Sequence, residues 1–207
     1  MIRAGFLALL PFAVHGASFE TWQAFDASVI DTGGTSVVIH SQIRERNRLH
    51  DFFYGRLGPV VRHRLNSRVV LVGGYYFGEA EEGPATWGDK HRTFGGIETP
   101  FSTRAGVFSV RNMMEHHFGG SEAQEVRTRS LVQFSRSVRS WTPFIGGEVF
   151  LDQNGFAQQR FQWGVRIPMT ASYRVDITYL FDARVSRVGE SRHVIQTAFK
   201  PRGNGRK

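Results

Sequence analysis

Between Ala105 and Phe134 the side chains alternate through two strand lengths around a paired glycine, and this alternation limits the fold more than any other stretch. In residues 107–116, Phe108, Val110 and Met114 share one parity, while Ser109, Arg111, Met113 and Glu115 share the other. Beyond Gly119-Gly120, Val126, Thr128, Val132 and Phe134 fall on one face and Arg127, Arg129 and Gln133 on the opposite one. A period of two is the strand signature, because successive Cβ atoms leave opposite faces of the pleat. A turn at Gly120-Ser121 sets Glu115 opposite Arg127 and Met113 opposite Arg129. Two architectures accept such strands. A soluble sheet buries its apolar face and gives its charges to water, and a membrane barrel does the reverse.

The N-terminus points to export. Arg3 precedes the apolar run from Phe6 to Val14, followed by the small residues Gly16 and Ala17. That is the pattern of a secretory signal peptide over residues 1–17, with cleavage after Gly16 or Ala17. The run is too short to span a bilayer, which takes about 20 apolar residues in a helix, and no later segment reads as a transmembrane helix. If the exported chain enters a membrane, it does so as strands.

Composition narrows the function classes. No cysteine is present among the 207 residues, which removes disulfide frameworks and thiolate metal sites. The net charge of +8 comes mostly from arginine scattered at strand spacing. No helix-turn-helix, zinc-finger or RNP-type motif accompanies it, so no nucleic-acid partner is expected. His116-His117 cannot chelate one ion from a strand, since neighbours point to opposite faces, and His40-Ser41 fails as a base and nucleophile for the same reason. No GxSxG, HExxH or phosphate-binding loop appears. No cofactor is expected.

In chain order, strands are predicted over 20–30, 35–45, 52–62, 69–77 and 91–99, then the central pair, then 142–151, 156–167, 174–182 and 192–199. Asp31-Thr32-Gly33-Gly34 carries hairpin chemistry, and residues 78–90 read as the longest irregular piece. A three-residue loop at Gln153-Asn154-Gly155 keeps Glu148 and Arg160 on one face. Short turns are expected near 32, 65, 101, 139 and 170, and longer connections near 48, 84, 120, 153 and 186. That alternation suits the short periplasmic turns and longer external loops of outer-membrane barrels. Arg62, Arg64, Arg68, Arg104, Arg136, Arg139 and the basic tail (201–207) then map to the periplasmic rim. Glu79, Glu81, Glu82, Asp89, Glu122 and Glu125 map to the external one. Eleven strands are counted, and because single-chain bacterial barrels are normally even-numbered, twelve is favoured within a range of ten to twelve. The expectation is an all-β, up-and-down antiparallel transmembrane β-barrel over residues 18–200.

Phe144, Phe150, Phe161, Trp163, Tyr179 and Phe181 are candidates for aromatic girdles at the membrane interfaces. Phe199, on the final strand, resembles the aromatic of an outer-membrane insertion signal. The inward charges form the candidate site: Arg111, Glu115, Arg127, Arg129, Glu148 and Arg160, with Arg166, Arg174 and Asp176 nearby. They either fill a narrow lumen as mutual salt bridges or line an anion path.

The Trp22 strand, Gly74-Tyr75-Tyr76, the strand from Arg111 to Glu115, Arg127-Thr128-Arg129, Glu148-Val149-Phe150 and Arg160 come in an order that resembles the DUF2490 family. Where that family tends to repeat arginine on its central strand, this chain has Met113 and His117. The resemblance implies an exported bacterial barrel of outer-membrane type and supplies no catalytic residues. The functional expectation is therefore an outer-membrane barrel, structural or narrowly pore-forming, with outer-membrane lipid and the barrel-assembly machinery as its partners. The competing classes are a secreted periplasmic β-protein that binds an apolar ligand and a lipid-modifying outer-membrane enzyme.

Overall fold

A computed structural model describes residues 18–46, 51–83, 86–120, 124–184 and 191–202. The predicted signal peptide and most of the basic tail lie outside them. Eleven strands close into one barrel in which sequence neighbours are also spatial neighbours. They are β1 (Ser18–Thr32), β2 (Thr35–Arg46), β3 (Asp51–Arg64), β4 (Val70–Gly83), β5 (Thr86–Ser102), β6 (Val107–Phe118), β7 (Glu125–Ser135), β8 (Thr142–Asp152), β9 (Gly155–Pro168), β10 (Tyr173–Arg184) and β11 (Ser191–Pro201). The favoured count of twelve gives way to eleven among the described residues. An odd number sends the first and last strands the same way, so the closing pair must be parallel. It is: Ser18–Phe25 of β1 runs alongside Arg192–Phe199 of β11, and every other pair is antiparallel.

The hairpins form where the sequence supplies turn chemistry. Gly33 and Gly34 both take positive φ in the two-residue turn between Thr32 and Thr35, the geometry that matches the twist of flanking strands. Asn66 accepts hydrogen bonds from the backbone N–H groups of Arg68 and Val69, and Thr170 accepts from those of Ser172 and Tyr173. These side chains substitute for missing ladder partners at each corner.

Two local expectations are corrected. Residues 78–83 and 86–90 are strand rather than irregular loop. β4 continues to Gly83 and β5 starts at Thr86, with Glu79 opposite Asp89 and Glu81 opposite Trp87. The β4–β5 ladder itself, which runs on past the last pairs with β3 at Ala80 and with β6 at His91, keeps this glutamate-rich tip extended, and the alternation of short turns with longer loops disappears with it. The second correction is at residue 153. The turn between Asp152 and Gly155 has two residues, and the extra residue is taken up by a bulge that leaves Ala157 without a partner. That bulge is what sets Glu148 opposite Arg160.

The barrel is inside-out relative to a soluble protein. Trp163, Met114, Ile145, Leu57 and Val132 are each more than half exposed on the outer face, while Glu115, Glu148 and Asp182 are buried. Strands of 11 to 17 residues meet or exceed the roughly 9–11 that a tilted strand needs to cross a bilayer. The two ends also differ. Arg64, Arg68, Arg104, Arg136 and Arg139 cluster at the end that holds the Gly33 and Asn66 turns, and Glu79, Glu81, Glu82, Asp89 and Glu125 at the opposite one. Glu122 lies outside the described residues.

Close approach inside the wall depends on glycine. Gly164 pairs with Phe144 and Gly74 with Phe94 across adjacent strands. A Cβ on Gly164 would sit 2.3 Å from the Ile177 carbonyl oxygen and 2.8 Å from the Phe144 ring. The bare backbone lets an aromatic ring lie flat on the strand, which fills a narrow interior without widening it.

Candidate functional site

The inward parity of each strand brings acids and bases into one ladder around the interior. On β6 and β7 the register puts Glu115 opposite Arg127 and Met113 opposite Arg129. Glu115 accepts from Arg127 Nε at 2.9 Å and from an Arg129 terminal nitrogen at 2.9 Å, with His117 Nε2 at 3.2 Å and Arg92 at 3.6 Å. Arg129 reaches the other way to Glu148 at 2.7 Å, which Arg160 and Arg111 also approach, at 3.3 and 3.4 Å. Asp182 stands directly opposite both Arg160 and Arg192, 3.2 and 3.4 Å from their guanidinium nitrogens. Arg192 then reaches Glu20 at 3.1 Å across the parallel seam, and Glu20 accepts from the Trp22 indole at 2.8 Å. Acids and bases thus alternate from β5 round to β1.

Phe150 lies inside this ladder, 1% exposed, with Arg127, Arg129 and Arg160 at 5.1, 5.3 and 5.0 Å from its ring centre. Phe144 also turns inward, beneath Arg166 at 4.7 Å. These two therefore leave the expected girdle: Glu148 faces in, and residues two and four positions away must follow it. Phe161 and Trp163 are exposed on the outer face. Tyr179 and Phe181 share that face and pack on His193.

Of the nine candidate residues, Arg111, Glu115, Arg127, Arg129, Glu148 and Arg160 meet in one network. Arg166, Arg174 and Asp176 form a separate group: Arg174 and Lys200 contact Asp176 at 3.0 and 3.2 Å, and Arg166 donates to Gln133. Arg92, His117, Asp182, Arg192 and Glu20 were missing from the sequence-derived set. Asp182 and Arg192 were recoverable from the last hairpin's register, whereas the Arg192–Glu20 contact depends on ring closure, which no local pattern encodes.

The β2–β4 side is built differently. Arg44 lies between the rings of Trp22 and Tyr54, at 4.0 and 4.4 Å, and Arg56 lies over Tyr76 at 4.4 Å. Neither is in an ion pair with a carboxylate among the described residues. His40 accepts from Arg56 at 3.2 Å and contacts Asp26 at 2.6 Å.

A cavity of about 1590 Å³ runs from Thr32, Thr35 and Arg64 at one end to Glu82 and Arg184 at the other. Arg44, Arg56, Arg92, Arg127, Arg129 and Arg160 line it. Glu115, Asp182 and Glu20 do not line it, whereas Glu148, Asp176, Glu98 and Asp26 do. Among the described residues no group of three metal-ligating side chains forms.

A closed barrel with an apolar outer face and a hydrogen-bonded charged interior is the β-barrel class of membrane-spanning protein, since closure alone satisfies every backbone group in hydrocarbon. A profile of the DUF2490 family, described as "Protein of unknown function", matches residues 19–190, and the chain belongs to that family. No curated protein matches it. Solved structures similar to it include the translocator domain of the autotransporter NalP from Neisseria meningitidis, at 12% identity and a TM-score of 0.46, covering 75% of this chain and 71% of that one. The siderophore receptor PirA from Pseudomonas aeruginosa matches at 9% identity and a TM-score of 0.35, covering 84% of this chain and 35% of that one.

Proposed function

We propose that the protein is an outer-membrane β-barrel offering a narrow, water-filled passage that favours anions. Export by the N-terminal signal, insertion by the barrel-assembly machinery and residence in outer-membrane lipid complete this reading. The observation that carries it is the charge balance at the cavity wall: among the described residues thirteen arginines and two lysines line the cavity against eight carboxylates, and Glu115, Asp182 and Glu20 are not among its lining residues. A passing ion therefore meets an excess of cationic groups, and rings of exposed cations select anions.

Size sets the limit on what passes. Strand spacing near 4.8 Å and a tilt of about 40° give eleven strands a backbone radius of roughly 11 Å. Spread over a hydrocarbon core about 30 Å thick, the 1590 Å³ cavity averages roughly 53 Å² in cross-section. That admits small hydrated ions or one small organic anion, far less than the wide channels of 16- to 18-stranded porins. A charged lining also suits no carrier of apolar ligands.

The test is the reversal potential of the purified barrel in planar bilayers under a potassium chloride gradient. Chloride-selective current is expected. Cation-selective current, or none, would overturn the proposal.

A further inference from the structure

We propose that the quadrant of the interior built by β2, β3, β4 and β5 is a binding station for an oxyanion of carboxylate or phosphate type, held by Arg44, Arg56 and Arg92. It rests on the reading of the interior as an anion-favouring passage and names where along that passage an anion stops.

The two halves of the interior satisfy their arginines in different ways. From β6 to β11 each guanidinium of the ladder has a carboxylate: Arg127 and Arg129 share Glu115, Arg160 has Glu148 and Asp182, and Arg192 has Asp182 and Glu20. Toward the ends of β2 and β3, Arg46 pairs with Asp51 and Glu81 and Arg62 with Glu98, but between them Arg44 and Arg56 have aromatic partners. Trp22 and Tyr54 cover the two faces of Arg44. Stacking fixes the plane of a guanidinium without neutralising it, and leaves its in-plane N–H groups as the only way to meet a ligand. Arg44 Nε donates to Gln42 at 3.1 Å, and its remaining N–H groups have no carboxylate. Arg56, flat on Tyr76, donates to His40 and to the Tyr54 hydroxyl, and contacts no carboxylate among the described residues.

A second, independent observation points to a ligand. Nε of Arg56 and Nε of Arg92 are both buried and have no hydrogen-bond partner. Buried N–H donors in a folded protein are almost always satisfied, and an orphan calls for an explanation. Arg92 is only 13% exposed, and its one carboxylate, Glu115, lies 3.6 Å away and is shared with Arg127 and Arg129. Arg111 and Arg160 also carry an unpartnered Nε, but their guanidiniums already bind Glu148. Tyr76 lies between the two open arginines, at 4.4 Å from Arg56 and 6.0 Å from Arg92, and Tyr54 lies within the field of all three. All three arginines and both tyrosines line the cavity.

The chemistry of the donors selects the ligand. Guanidinium presents paired N–H groups at the spacing of two oxygens on one carbon or phosphorus, so forked contacts favour carboxylate and phosphate over chloride. Chloride gains from the charge alone. An oxyanion gains from the charge and the fork together.

Replacing arginine by lysine separates those two contributions. The double variant Arg44→Lys, Arg56→Lys keeps both positive charges and removes both forks. Chloride current through the wild-type barrel and the variant is measured in planar bilayers while inorganic phosphate, or separately succinate, is added. Both folds are checked by the heat-dependent gel shift. The expected result is that at least one oxyanion blocks chloride current in the wild type, and that the variant needs about tenfold more for the same block. The more potent of the two anions identifies the class. Equal block in both proteins, or no block of the wild type by either anion, overturns the station while leaving an anion-selective passage standing. If the barrel carries no current, titration of Trp22 fluorescence in detergent decides, with Trp22→Phe identifying the signal. A response to oxyanion that weakens about tenfold in the lysine variant supports the station alone, and the absence of a response overturns it.

Discussion

Replacing Glu148 by glutamine should destabilise the barrel about three times as much as replacing Arg129 by glutamine. The interior holds more guanidiniums than carboxylates, so each carboxylate serves several cations. Glu148 is 2% exposed and accepts from Arg129, Arg160 and Arg111. Without its charge, Arg129 keeps Glu115 and Arg160 keeps Asp182. Arg111 loses the one carboxylate it contacts. Breaking a buried pair costs about 3–5 kcal/mol, and a cavity that admits water puts this case near the lower end, at about 3 kcal/mol. Arg129→Gln leaves Glu115 with Arg127 and Arg92, and Glu148 with Arg160 and Arg111. The loss is then closer to one hydrogen bond, about 1 kcal/mol. The assay is reversible denaturant unfolding from lipid vesicles, followed by tryptophan emission. Arg111→Gln added to Glu148→Gln should recover part of the loss, because it removes the stranded cation. Equal costs for the two single variants, or a larger one for Arg129→Gln, would refute a cation-rich interior.

Val132→Arg places a charge on the outer face, where Val132 is 51% exposed, and should cost about 2–4 kcal/mol near the midplane in the same unfolding assay. Gly164→Ala should cost about 1–3 kcal/mol, since its Cβ would meet the Ile177 carbonyl and the Phe144 ring. Gly147→Ala, which meets nothing within 4 Å, should change stability by less than about 0.5 kcal/mol. Because the chain has no cysteine, single-cysteine variants report sidedness cleanly. Gly83→Cys should react with a membrane-impermeant maleimide on intact cells and Asn66→Cys should not, and the opposite result would invert the orientation.

How much was legible follows from how local each feature is. The faces of the central hairpin could be read directly, because Arg127, Arg129 and Gln133 alternate with Val126, Thr128 and Val132 beside an unmistakable glycine turn. The register sets Glu115 against Arg127. Strand existence was equally local, and all eleven segments counted in the sequence are strands. The β4–β5 tip was harder to read. Glutamate and glycine argue against strand, and only the opposing ladder from Gly78–Lys90 to Gly83–Thr86 overrides them. The bulge at Ala157 was invisible because a bulge and an added turn residue shift the register equally. Phe144 and Phe150 went astray because aromatics near strand ends suit a girdle, although their parity with Glu148 marks them as inward. Trp22 and Arg44 are direct partners across the first hairpin, but a bulge between Ser28 and Ile30 shifts that register by one residue, so the Gly33-Gly34 turn alone does not predict the pair.

The claim most open to a direct test is that apolar side chains face lipid while the charged ladder and Trp22 face the interior. Two proteins with one remaining tryptophan each, at Trp163 or at Trp22, refolded into vesicles with brominated acyl chains, measure it. Trp163 is 59% exposed on the outer face and Trp22 is 3% exposed beneath Arg44. Strong quenching of Trp163 with little quenching of Trp22 is the predicted result. Quenching of Trp22 with Trp163 protected, or a compact monomer formed by the same proteins without lipid or detergent, would contradict it.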